Sequence, residues 1–213
     1  IAEFAGSNPA DALELLKALS MYSLTVLIGL SLMIFGIYPL LFRVFTKFGY
    51  GRFFKGIGPA QMLAFSTSSS SATLPVTMER VEEHLGVSEE VSSFVLPLGA
   101  TINMDGTSLY QAVATVFIAQ AFGTDLSLSQ QLTIVLTATL ASIGSAGVPG
   151  AGMVMLVIVL ESVGLDTAGI ALVVAVDRIL DMARTVVNVT GDAAVSVIVA
   201  STEGQLHEPS KAD

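Results

Sequence analysis

The chain has 213 residues, 53% of them apolar and only 13% charged, and its 18 acidic and 9 basic side chains give a net charge of −9. Soluble domains carry about 25% charged residues. A mean hydropathy of +0.76 therefore excludes a disordered chain and argues against a soluble enzyme. Cysteine is absent and only His84 and His207 represent histidine, so disulfides, thiol catalysis, Cys-zinc sites and His-based centres fall away. The acidic balance argues against nucleic acid as a partner. The opening Ile1-Ala2-Glu3, with no initiator Met, reads as a piece of a longer protein.

Residues 18–42 form a run of 25 without charge, longer than the roughly 20 needed to span a bilayer core. Arg43, Lys47, Arg52 and Lys55 follow with no acid between them, which marks that end as cytoplasmic. Residues 56–78 are again uncharged, but seven of the eight positions 66–73 carry hydroxyls. In hydrocarbon those groups need partners, and two arms of about ten residues are each too short to cross. The pattern predicts a re-entrant hairpin with a polar tip.

Glu79, Arg80, Glu82, Glu83, His84, Glu89 and Glu90 mark residues 79–90 as a charged surface loop with His84 solvated. Residues 91–124 then hold a single charge, Asp105, within Asn103-Met104-Asp105-Gly106-Thr107. An Asp at membrane depth is costly without a partner or a function, and Gly106 weakens a helix. A spanning helix broken at its middle is expected, with carbonyls freed toward a ligand.

Residues 126–160 are uncharged, and positions 142–152 hold four glycines and Pro149, which cannot stay helical. A second re-entrant hairpin follows, with arms of about 16 and 8 residues. Its connectors carry Asp125, Glu161 and Asp166 but no Lys or Arg, as suits the outer side. On a helix over 167–201, Asp177, Asp181, Arg184, Asn188 and Asp192 fall within a stripe of about 80° at 100° per residue. So narrow a polar stripe on an apolar helix faces a bundle interior.

In order, the chain reads hairpin then helix, twice, entering from opposite sides. That is an all-α membrane protein with an inverted repeat of two re-entrant helical hairpins and two spanning helices, one of them broken. Secondary transporters place substrate and ions where such repeats meet. The expected segments are 1–55 (surface segment, spanning helix and basic loop), 56–124 and 125–202 (the two repeats) and 203–213 (a cytoplasmic tail). Bare carbonyls, Asn and Asp suit a hard cation such as sodium. Arg184 offers a fork for a carboxylate, and Asp181 suits an ammonium group.

Four segments carry a family resemblance: SSSSATLPVTM at Ser68 to Met78, LPLGATINMDGTSLY at Leu96 to Tyr110, ASIGSAGVPGAG at Ala141 to Gly152, and DMARTVVNVTGD at Asp181 to Asp192. In this order they resemble the glutamate/aspartate:cation symporter family, which includes the excitatory amino acid transporters. The resemblance covers essentially the whole chain, and the run TVVNVTGD from Thr185 with the short loops suggests a prokaryotic member. It implies no enzyme but a multi-pass transporter of the plasma (inner) membrane, working by an elevator movement of this transport domain against a trimeric scaffold. The scaffold helices, and a third helix of the transport domain, would precede this chain.

Carried over, the resemblance implies that Ser69 and Ser70 at the first tip, and Val148, Pro149, Gly150, Ala151 and Gly152 at the second, contact or close over the substrate. Thr107 and Arg184 would hold the side-chain carboxylate. Asp181 would take the amino group, with Thr185 and Asn188 beside it, Asn188 on the backbone carboxylate. Asp177 would orient Arg184. One sodium site would use carbonyls of Gly99, Asn103 and Asn188 with Asp192. A second would use carbonyls of Thr101, Ser142, Ile143 and Ser145 near Met104, and a third Asp105 and Asn103. No organic cofactor is implied. The family's additional Arg, at a tip or last-helix position, is here Ser68 and Met182, and Arg178 one turn earlier is expected to be a second embedded cation. The function implied is sodium-coupled symport of aspartate or glutamate; the alternatives are proton coupling or a C4-dicarboxylate on the same fold.

Overall fold

A computed structural model describes residues 9–211, with side chains from residue 12 onward. Of the expected surface segment before the spanning run, residues 1–8 lie outside the described residues, and residues 9–17 are already helical. Among the described residues every regular element is helical, and extended pairing is limited to one antiparallel bridge, Val87 with Leu206.

Helix α1 (Pro9–Leu32) passes through a π turn (Met33–Ile37) into α2 (Tyr38–Phe45). Pro39 sits in the first turn of α2. It has no N–H for an i−4 carbonyl, and the helix absorbs that defect by widening just before it. The apolar run over Ala12–Phe45 has 34 residues, long enough to cross a membrane, and only 17% of its most apolar window is buried. The basic segment folds back on this run: α3 (Tyr50–Gly56) packs Phe53 against Phe42 at 4.6 Å between ring centroids, and the Tyr50 hydroxyl donates to the Ile34 carbonyl at 2.5 Å.

The first predicted hairpin is two ten-residue helices, α4 (Gly58–Thr67) and α5 (Ser70–Glu79). They are joined by Ser68 in the left-handed region (φ 53°) and Ser69, whose Oγ caps α5 by accepting from the Ala72 N–H. Segment 79–90 is not the solvated loop expected. A π turn (Arg80–His84) buries Val81, Leu85 and Val87 follow it into the core, and His84 is half-buried with its Nε2 2.6 Å from Arg80. Its charges project from a turn anchored by apolar side chains, which composition alone does not reveal.

The broken helix appears as α6 (Glu89–Ile102) and α7 (Asp105–Ala121), separated by non-helical Asn103 and Met104. Ser88 caps α6, and Glu89 and Glu90 in its first turn suit the helix dipole. The second hairpin is α8 (Leu128–Ile143), opened by a Ser127–Gln130 capping box, and α9 (Ala151–Ser162). The second arm is therefore 12 residues, not about 8, because Ala151 and Gly152 at its start and Glu161 and Ser162 at its end are helical. A 3₁₀ turn (Thr167–Gly169) leads into α10 (Ile170–Thr202), 33 residues long.

Helix α10 is the axis of the fold, in contact with α1, α4, α6 and α7. One apolar cluster joins Tyr22 and Val26 of α1, Tyr110 and Ile118 of α7, Leu156 of α9 and Leu180 of α10. Another joins Phe42, Phe53, Leu96 and Val197. The tail turns back after α10, where the His207 N–H donates to the Gly86 carbonyl at 2.7 Å and Lys211 pairs with Glu83. On the outside, Leu128, Leu132, Leu136 and Leu140 form an exposed stripe at every fourth position of α8. An apolar face of that kind calls for hydrocarbon or another protein surface.

Candidate functional site

All five residues of the stripe on α10, Asp177, Asp181, Arg184, Asn188 and Asp192, are buried. Arg178 is not part of it. It lies on the exposed face beside exposed Ile179; at 100° per residue it is turned away from Asp177.

Arg184 is the largest fully buried side chain. Its Nη2 donates to Asp181 Oδ1 at 2.7 Å and its Nη1 to Asp177 Oδ1 at 3.0 Å. Its Cζ lies 3.6 Å from the centroid of the Tyr110 ring, a cation–π contact out of water. Asp181 Oδ2 accepts from the Gly150 N–H at 3.0 Å, so the second tip is tied to the same ion cluster. Thr185 donates its hydroxyl to the Asp181 carbonyl. Arg184 Nε, the Tyr110 hydroxyl and Gln111 Oε1 are buried and, among the described residues, have no hydrogen-bond partner. Polar groups in that condition are costly and sit where a ligand or solvent completes them.

The break between α6 and α7 docks one to two turns further along α10. Asn188 Oδ1 accepts from the Gly106 N–H at 2.8 Å, while its Nδ2 lies 3.1 Å from Thr107 Oγ1 and 3.3 Å from Met104 Sδ. Asn103 Nδ2 donates to Asp192 Oδ1 at 2.9 Å. Gly106 permits this approach: a Cβ there would stand 2.7 Å from the Arg184 carbonyl oxygen.

The two tips meet at the same place. The Ser69 hydroxyl and the Ser71 N–H both donate to the Gly147 carbonyl, at 2.6 and 3.1 Å. Ser70 and Ser145 are buried beside this contact's two strands of chain, and Gln111 Nε2 reaches the Gly152 carbonyl at 3.0 Å. Val148 and Pro149 are exposed, and Ala151 is half-buried. Of the carbonyl-bearing positions, Gly99 and Ser142 are buried, whereas Thr101 and Ile143 are exposed. Met104, Asp105, Ser142 and Ile143 line one cavity of about 370 Å³. No cluster of three or more His, Cys, Asp or Glu occurs among the described residues, so a cation here would meet single carboxylates together with carbonyl and amide oxygens.

Tyr38, Tyr110 and Gln111 escaped the sequence reading. Thr107, Gln111 and Thr115 recur at every fourth position of α7 and are buried, so the polar spacing on that helix carried a signal for Gln111. Tyr38 carried none, as one hydroxyl in an uncharged run.

Residues 1–202 match the family described as the sodium:dicarboxylate symporter family. The chain belongs to that family. Its members are transporters, not enzymes. Among similar proteins of the symporter family are an excitatory amino acid transporter of Caenorhabditis elegans (51% identical over 189 residues, 89% of this chain and 38% of that protein) and excitatory amino acid transporter 4 of Rattus norvegicus (51% over 181 residues, 85% and 32%). Excitatory amino acid transporter 3 of Mus musculus is 52% identical over 186 residues, 87% of this chain and 36% of that protein. The chain thus spans about a third of the length of the curated relatives it matches.

Proposed function

We propose that this chain is the substrate- and ion-handling part of a sodium-coupled symporter of acidic amino acids. The observation that carries the reading is Arg184, fully buried and bonded to both Asp181 and Asp177. Breaking such a buried pair and leaving one partner bare costs about 3–5 kcal/mol. An acidic amino acid replaces both halves at once: its side-chain carboxylate takes the Arg184 fork and its ammonium group takes Asp181. A dicarboxylate without an ammonium group would leave Asp181 buried and unpaired, so an amino acid is the better fit. Asp177 stays on Arg184 and keeps the guanidinium aimed. Thr107 and Asn188 lie beside it, and the amides of the second tip, already touching Asp181, close over the substrate.

Sodium coupling rests on the carboxylates of Asp192 and Asp105. Their hydrogen-bond partners are the neutral Asn103 and Tyr38, so a monovalent cation supplies the missing positive charge. The oxygen donors suit a hard ion. The residues that would hold it are Gly99, Asn103, Asn188 and Asp192 at one site, Thr101 of α6 and Met104 of the break with Ser142, Ile143 and Ser145 of the second hairpin at another, and Asp105 with Asn103 at a third. In this reading the two hairpins and two spanning helices are inverted repeats, and the unit moves as an elevator against a trimeric scaffold in the plasma membrane. The meeting of the two tips at the Gly147 carbonyl supports the repeat arrangement.

The test is Arg184→Thr. Aspartate affinity should fall by more than about a hundredfold, the low end of 3–5 kcal/mol at about 1.4 kcal/mol per decade, while serine or alanine binding improves. Unchanged aspartate binding in this variant would remove Arg184 from the substrate site.

A further inference from the structure

We propose that Tyr38 is a positioning residue for the ion site: its hydroxyl, carried on the first helical run, holds the Asp105 carboxylate in place for a cation. This rests on the sodium-coupled reading above.

Tyr38 is 3% exposed. Its hydroxyl donates to Asp105 Oδ2 at 2.9 Å and lies 3.2 Å from the Val187 carbonyl oxygen, so one proton is shared between a carboxylate and the backbone of α10. A buried hydroxyl without partners is costly, and these two are its hydrogen-bond acceptors among the described residues. Asp105 Oδ1 accepts no hydrogen bond among the described residues, and Asp105 lines the cavity shared with Met104 and Ser142. One oxygen of the carboxylate is held and the other remains to meet an ion.

Two features of the backbone serve this contact. The π turn at Met33–Ile37 ends directly before Tyr38. One extra residue in a turn rotates everything after it by about 100°, and this sets the direction in which Tyr38 points. Gly191 of α10 lies against the knot: a Cβ there would stand 2.7 Å from the Tyr38 hydroxyl, 2.9 Å from Asn103 Nδ2 and 3.3 Å from Asp105 Oδ2. Tyr38, Asn103 and Asp105 thus leave no room for a side chain at Gly191. A metal-binding carboxylate fixed by an outer hydrogen bond loses about 10–100-fold in ion affinity when that bond is removed.

The experiment is calorimetric titration of aspartate into the purified protein at a series of sodium concentrations, with the isosteric variant Tyr38→Phe, with Asp105→Asn, and with both. The sodium concentration giving half-maximal aspartate affinity should rise by about 10–100-fold in Tyr38→Phe, with aspartate affinity at saturating sodium unchanged. A purely structural role would instead lower the unfolding temperature in sodium-free buffer and weaken aspartate binding at every sodium concentration. In the Asp105→Asn background Tyr38→Phe should add nothing, because residues acting through one another are not additive. Sodium dependence left unchanged by Tyr38→Phe, or shifted equally in both backgrounds, overturns the assignment. Sodium-independent aspartate binding in the parent protein overturns the sodium reading itself and the assignment with it.

Discussion

Gly99 lies in the last turns of α6, and a Cβ placed there would stand 2.5 Å from Asp192 Oδ1. A Gly-to-Ala change inside a helix ordinarily gains about 1 kcal/mol. Here overpacking against a buried carboxylate costs about 1–3 kcal/mol, and the clash wins. Gly99→Ala should lower the unfolding temperature by several degrees and raise the sodium concentration needed for aspartate binding. Gly51→Ala, with no atom within 4 Å of the added carbon, should leave both unchanged or raise stability slightly. Thermal unfolding with and without sodium checks the pair, and equal behaviour of the two variants would contradict the contact. At this scale the polar stripe of α10 was legible because charge on an apolar helix is conspicuous. Close contacts were not: nothing in a linear sequence tells a glycine pressed against Asp192 from one in open space, or marks Tyr38 as the partner of a residue 67 positions away.

Among the elements, the two hairpin tips differ in how they are held. The first turns on Ser68 and is capped by Ser69. The second has four glycines and Pro149 within residues 144–152. Its ties to the rest of the fold are the two hydrogen bonds to the Gly147 carbonyl, the one from Gly150 to Asp181 and the one from Gln111 to the Gly152 carbonyl, among the described residues. At about 0.5–1.5 kcal/mol net each, four such bonds hold it closed by an amount of the order that ligand binding supplies. We therefore expect the second tip to act as the gate, with ligands shifting it only through contacts that the closed state alone makes. Spin labels at Ser66→Cys and Val148→Cys, on exposed positions in a chain without native cysteine, should report a shorter distance with sodium and aspartate together than in sodium-free buffer. A distance that ignores both ligands while binding is confirmed would assign the gate elsewhere. The breaks themselves were legible from Gly, Pro and hydroxyl clusters. The length of α9 and the anchored turn at 80–84 were not, because Glu161 looked like an end and the buried Val81 was outnumbered by charged neighbours.

For the molecule as a whole, the order of elements followed from where charge is absent, while the docking of tips and break onto α10 came from packing that hydropathy does not encode. The outer surface carries the long apolar run at 12–45 and the leucine stripe of α8; the charge-bearing interior is concentrated on one helix. That inversion suits a unit that carries a charged substrate through hydrocarbon with its polar groups turned inward. The central claim is that acidic amino acid and sodium bind to each other's advantage within this unit, and linkage requires each to strengthen the other by the same factor. The direct measurement is radiolabelled aspartate uptake by the protein reconstituted in vesicles, with an inward sodium gradient and with sodium replaced by choline at equal ionic strength. The account predicts accumulation only with the sodium gradient, and none in Arg184→Thr; equal accumulation in choline would contradict it.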